Sequence, residues 1–278
     1  MNRYLKLVHY EFTRIRWMYI SLFVVTLLSQ FGGLLMHARS TMDRINNIMV
    51  RESLPDTAFV QKYGKVQFHD FAQNSIWFIA PIVLCIAALF LYVFLIWYRD
   101  WIGKNMFIYR LLMLPTSRMN IFSAKLSVIV MAVLGLVAFQ LLLLPLMNGL
   151  YNTLISSTFR YTIPIIDIIT ISPLLSILIP QSFIQFTLYY GVGVMAVIVI
   201  FTAILIERSY RWKGIIGGIA YGALASLIFF LPILISEIWL IDYFYPIEMI
   251  LLEIITGILV IGASIGVSFF LLKNKVYV

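Results

Sequence analysis

Charge is scarce in this sequence. Asp, Glu, Lys and Arg make up 12% of its 278 residues, about half the share of an ordinary soluble domain. That scarcity excludes a separate aqueous domain, because no stretch is polar and patterned enough to fold alone in water. Cysteine is nearly absent. The single Cys85 lies inside an apolar run, which excludes an intrachain disulfide and leaves the compartment unmarked. The three histidines, His9, His37 and His69, are scattered and read as ordinary surface residues rather than metal ligands. No Gly-x-x-x-x-Gly-Lys-Ser/Thr loop is present to cradle nucleotide phosphates. Metal-ligand motifs such as His-Glu-x-x-His or paired Cys/His sets are also missing, as is a Gly-x-Ser-x-Gly nucleophile elbow.

What remains is apolar. Hydrophobic residues account for 62% of the chain and the mean hydropathy is +0.99. Several runs exceed the roughly 18 residues that mark a spanning helix. The pattern predicts an all-α integral membrane protein, a single transmembrane domain over residues 1–278 with six spans at about 17–36, 75–98, 126–147, 186–206, 214–235 and 249–272. Before the first span, Tyr4, Leu5, Val8, Phe12 and Ile15 form an apolar stripe among basic residues. Residues 1–16 therefore read as an interfacial amphipathic helix. The run 17–36 is too long for a signal peptide and lacks a small-residue cleavage site.

The segments between spans have distinct characters. Residues 37–74 are polar with mixed charge, and part of them, around 40–54, suits a surface helix. Residues 99–125 are short and basic. Residues 148–184 hold apolar stretches broken by Arg160, Asp167, Pro164, Pro173 and Pro180. No unbroken run there crosses about 30 Å of hydrocarbon, so this segment is expected to form interfacial or re-entrant helices between spans three and four. A seventh span is the alternative, and it would put the termini on opposite sides.

Fourteen of the twenty Lys and Arg fall on the face that carries both termini, the 99–125 loop and the 207–213 turn. That bias predicts N-in, C-in orientation with 37–74 and 148–184 outside. Net charge of +8 then reflects orientation and contact with membrane lipids, not nucleic acid.

Within the spans a few residues stand out. Gly214, Gly218, Gly222 and Ser226 recur every four positions, the small-residue pattern that lets helices approach closely, within the chain or between subunits. Glu253 is the one carboxylate clearly inside a predicted span, and a buried carboxylate is a functional candidate; shallow solvation at the outer rim is the other reading. Gln140, Gln185 and Tyr189 join it as candidates to line a substrate path.

The stretch Tyr109-Arg110-Leu111-Leu112-Met113-Leu114-Pro115-Thr116-Ser117-Arg118, followed by Ile121-Phe122-Ser123-Ala124-Lys125-Leu126, resembles the permeases of ATP-binding cassette (ABC) type-2 exporters, closest to the compact bacterial peptide and drug exporter branch. The motif covers about 20 residues, and the architectural likeness covers the whole chain. The resemblance implies a permease subunit, not an enzyme, in a bacterial plasma membrane, paired as a homodimer or heterodimer with a second permease subunit. It further implies two copies of a separate cytoplasmic ATPase. ATP and Mg would sit on that ATPase, and this chain would bind no cofactor. Arg110, Leu114, Pro115, Arg118 and Lys125 would form the ATPase-coupling loop within 99–125. The cargo would be amphipathic or hydrophobic: a peptide, drug or lipid-like molecule. The chain departs from many members in carrying its outer interruption between spans three and four. Alternatives are a lipid-modifying membrane enzyme, and a membrane sensor or assembly scaffold built on residues 37–74.

Overall fold

A computed structural model describes residues 3–101, 117–238, 243 and 245–275. The elements, in chain order, are α1 (Arg3–Glu52), α2 (Asp56–Tyr63), β1 (Val66–Gln67), α3 (Phe68–Asn74), α4 (Ile76–Trp101), α5 (Arg118–Leu154), β2 (Arg160–Tyr161), α6 (Ile165–Ile171), α7 (Pro173–Leu178), α8 (Phe183–Ile238) and α9 (Pro246–Asn274). The described residues are all-α apart from the two-residue strands. Six helical stretches are long and apolar enough to cross a membrane: Arg3–Glu52, Ile76–Trp101, Arg118–Leu154, Phe183–Tyr210, Trp212–Ile238 and Ile247–Asn274. Helices are what such sequences must form, since hydrocarbon offers no partner to an unpaired backbone amide. Many of their large apolar side chains are exposed, among them Leu28, Leu91, Ile219 and Ile258. Lipid is the solvent that suits such a surface.

Two boundaries differ from the sequence reading. Residues 3–16 are continuous in helical pattern with the rest of α1, which runs to Glu52. Its 50 residues are far more than one crossing needs. Its last turns, read as mostly loop, are helical because they are amphipathic. Ala38, Thr41 and Ile45 are buried, while Arg39, Asp43, Arg44 and Asn47 face out. The helix α5 likewise begins at Arg118, eight residues before the predicted span.

The chain divides into two compact units, each drawing on α1, α4 and α5. The first comprises residues 1–14, 89–131 and 182–278. Here α8 carries both the fourth and the fifth predicted spans. Its helical pattern continues through residue 211, yet the chain folds back between Glu207 and Gly214. Gly218 shows this: a Cβ placed there would lie 2.8 Å from the carbonyl oxygen of Ala203. A straight helix would hold those residues roughly 22 Å apart. Gly214 meets the backbone of Ile206 and Glu207 equally closely. Glycine is needed at both because the two arms touch backbone to backbone. Met195, Ala225, Phe229 and Val260 bury a small apolar core between the arms and α9. Next to it lies a hydroxyl cluster: Thr202 Oγ1 pairs with Ser268 Oγ at 2.9 Å, and Tyr221 OH with Ser264 Oγ at 2.7 Å. Thr202, Ser264 and Ser268 are fully buried, so pairing hydroxyls with one another spares each an unmet desolvation.

The second unit comprises residues 15–88 and 132–181. Its core joins α1 to α3, α6 and α7 through Leu34, Phe71, Phe78, Met147, Tyr151 and Ile168. Phe71 packs edge-on to Phe78, and Phe68 to Tyr151. The strands β1 and β2 pair in parallel, Val66 with Arg160 and Gln67 with Tyr161, tying the 37–74 segment to the 148–184 segment. A capping box between Gln67 and Asp70 starts α3. The helices α6 and α7 have seven and six residues, too short to cross a bilayer. Outside these helices Lys62 donates to Glu52 at 2.7 Å, and that hydrogen bond raises the Lys62 ammonium above the usual lysine pKa.

Gly218→Val should weaken the fold by about 1–3 kcal/mol, the usual cost of forcing atoms into a filled contact. Gly222→Val, one turn on, meets open space within 4 Å and should leave stability nearly unchanged. The thermal unfolding midpoints of the two variants in one detergent check the contrast.

Candidate functional site: a buried charge cluster

The first unit holds a dense group of charges among its described residues. Glu11 and Arg14 come from α1, Arg99 and Asp100 from α4, and Lys125 from α5. Lys125 and Asp100 have no exposed surface and Glu11 has 3%. The Lys125 ammonium uses all three of its donors: Glu11 Oε1 at 2.7 Å, Asp100 Oδ2 at 2.5 Å and the carbonyl oxygen of Ile96 at 2.8 Å. Arg14 donates to the other oxygen of Asp100 at 2.6 Å, and Arg99 to the other oxygen of Glu11 at 3.4 Å. Each carboxylate is therefore held from two sides. Two acids against three bases leave a surplus of one positive charge, and the half-exposed arginines share it with solvent. Trp97 roofs the cluster, its ring 5.2 Å from the Lys125 nitrogen, and packs edge-on with Phe201, which in turn meets Phe122.

Such a cluster is costly to assemble. Each buried ion forfeits several kcal/mol of hydration, and only near-complete pairing offsets the loss. Here the geometry supplies that pairing. The arrangement positions three helix segments against one another at one point, at the end of α4 and near the start of α5.

The residues singled out from sequence are distributed as follows. Arg110, Leu114 and Pro115 lie outside the described residues. Arg118 opens α5 and donates to the carbonyl oxygen of Leu272 near the end of α9, at 2.6 Å. Lys125 is in the buried cluster. Of the N-terminal stripe, Val8 and Ile15 are buried, Leu5 and Phe12 are exposed, and Tyr4 donates to or accepts from Ser127 Oγ at 2.6 Å. The buried face is rotated to run through Leu7, Val8, Glu11 and Ile15, because Glu11 is drawn in by Lys125. Gly214 and Gly218 pack on the chain's own Ala203–Glu207 turn, whereas Gly222 and Ser226 remain uncovered.

Of the path candidates, Gln140 is buried in the second unit. It exchanges amide hydrogen bonds with Gln30 at 3.1 and 3.3 Å, and Gln30 also donates to the Phe78 carbonyl oxygen. Gln185, Tyr189 and Glu253 belong to the first unit, and among the described residues no hydrogen bond links them. The backbone N–H of Gln185 donates to Ser182 Oγ, which caps the start of α8; Tyr189 is exposed and Glu253 is half-buried.

Sequence reading passed over Glu11, Asp100 and Gln30. A signal for the first two existed: they are acids on the face that otherwise carries the basic residues, where a carboxylate with no partner would be conspicuous. Gln30 is a lone amide inside an apolar run and needs an interhelical partner.

The fold thus defines a helical protein with six candidate membrane spans and an ionic knot where three of them end or begin. Comparison with protein-family models, curated proteins and solved structures finds no match in any of the three.

Lys125→Met would strand Glu11 and Asp100 without their shared cation and should cost about 3–5 kcal/mol. Adding Glu11→Gln and Asp100→Asn removes the stranded charges and should restore much of the loss. A non-additive recovery in detergent unfolding midpoints checks the coupling.

Proposed function

We propose that this chain is the membrane permease subunit of an ABC type-2 exporter. On this reading it works with a second permease subunit and two copies of a separate cytoplasmic ATPase, which binds ATP and Mg. The cargo is amphipathic or hydrophobic, of the peptide, drug or lipid-like class, and moves out of the cell. Support comes from the six apolar helices, from the Leu114-Pro115-Thr116-Ser117-Arg118 and Ala124-Lys125-Leu126 motifs, and above all from the location of the charge cluster.

The single observation that carries the reading is that Asp100 and Lys125 flank the segment proposed to meet the ATPase, pair with each other, and are locked onto α1, Asp100 through Arg14 and Lys125 through Glu11. Force applied to that segment reaches α4 at Arg99–Asp100, α5 at Arg118–Lys125, and through the ion pairs α1. Arg118 adds a link to the end of α9. Charged groups suit this task because the cluster is stable only when complete, so it moves as a body rather than yielding at one contact. Transport on this reading needs no covalent chemistry in this chain. Closure of the ATPase pair on ATP shifts the segment, and the helices respond by opening or closing the passage.

A second reading, a membrane sensor or assembly scaffold, is favoured by one observation. The α1 extension presents an uncovered polar face, with Arg39, Ser40, Asp43, Arg44, Asn47 and Arg51 exposed, outside any predicted span.

Purification from native membranes through a C-terminal tag, followed by mass spectrometry, should recover a stoichiometric P-loop ATPase. Its reproducible absence with intact protein would favour the sensor reading. In cells carrying that ATPase, Pro115→Ala and Arg118→Ala should leave membrane insertion intact while lowering cargo export about tenfold at unchanged ATP hydrolysis. Unchanged export in both would remove the coupling role from this segment.

A further inference from the structure

We propose that the end of α4 and the fold-back of α8 form a binding site for the phosphate headgroup of an anionic membrane lipid. The site is built on Arg208. Its guanidinium lies over two aromatic rings of α4, 4.8 Å from the centroid of Tyr98 and 5.7 Å from that of Trp101. A guanidinium held this way is fixed in place while keeping its in-plane donors available. The neighbouring carboxylate, Glu207, accepts a hydrogen bond from the hydroxyl of the same Tyr98 and makes no ion pair with Arg208. No ion pair joins Arg208 to an acid among the described residues.

The second observation is independent. Five buried polar side-chain atoms of the described residues lack a hydrogen-bond partner, and two of them belong to this site: Trp101 Nε1 and Arg208 Nε. Both are N–H donors, one on the last residue of α4 and one in the fold-back. Trp101 and Arg208 are in contact with each other. A donor shut off from water and left unmet costs its full desolvation, and an acceptor from outside the chain removes that cost. The missing group is therefore an anion with several acceptor oxygens, and a phosphate matches the guanidinium fork.

Its source is a lipid because of where the site falls. Trp101 ends the span Ile76–Trp101, and Arg208 lies within three residues of the end of Phe183–Tyr210. Both sit where hydrocarbon gives way to headgroups. Trp212, 85% exposed on the next turn, is the side chain expected at that level, and exposed Lys213 adds to the positive potential that draws anionic lipid. The inference requires only that the helices span a bilayer and stands apart from the exporter reading.

The full chain in mild detergent, titrated with phosphatidylglycerol or phosphatidylcholine and read by native mass spectrometry, tests the site. Phosphatidylglycerol should be retained in preference. Arg208→Gln should lower its occupancy about tenfold, and Trp101→Phe, which keeps the ring and removes one donor, should lower it by a smaller factor. Lys65→Gln, on an exposed loop, should have no effect. Equal retention of the two lipids, or equal retention by Trp101→Phe and the parent when Arg208→Gln is not monodisperse, would overturn the proposal. Displacement of the lipid by millimolar sodium phosphate would assign the site to a soluble phosphate and overturn the lipid source.

Discussion

Lys125 cannot be buried alone, and that constraint organises the first unit. An ammonium with no exposed surface needs three acceptors and compensating negative charge, and no single helix supplies both. The acceptors come from Glu11 of α1 and from Asp100 and the Ile96 carbonyl of α4. Bringing two acids together for one lysine then requires further cations, which Arg14 and Arg99 provide. Each addition follows from the one before. The result specifies the positions of α1, α4 and α5 with a sharpness that apolar contacts in lipid do not reach, because sliding one helix by a turn would leave a charge unpaired.

The same logic recurs in neutral form elsewhere. Helices in hydrocarbon gain little from hiding apolar surface, so polar pairs and close backbone contact carry much of the specificity. Thr202, Tyr221, Ser264 and Ser268 serve this role between α8 and α9, with Gly214 and Gly218 drawing the two arms of α8 together. In the second unit Gln30 and Gln140 form the corresponding amide pair. Its other segments bury an aromatic cluster that includes Phe59, Phe68, Phe71, Tyr151 and Phe159, with edge-on ring contacts of the kind that add to burial.

A saturated ionic knot resists local yielding, which is what the proposed coupling role asks of the helix ends it joins. The same helix ends leave indole and guanidine donors unmet, and the proposed anion site rests on those donors.

Run length and composition were enough to read six spans, since twenty apolar residues in succession have few other stable outcomes. The glycine row and the isolated amide at Gln140 were also visible, because period and polarity are local properties. The continuation of α1 to Glu52 was less so: residues 37–52 are polar enough to resemble a loop, and only the packing of Ala38, Thr41 and Ile45 against the second unit's core makes them helical. The pairing of Glu11 and Asp100 with Lys125 was not legible. They lie 114 and 25 positions away from it, and nothing local states which face of one helix meets which face of another. The sequence by itself determined that the chain is helical and apolar enough to span a membrane, because those follow from each residue's own chemistry. Tertiary structure decided which charges meet, which glycines are covered and which donors stay unmet, because a buried polar group is satisfied only by what the fold brings within hydrogen-bond reach.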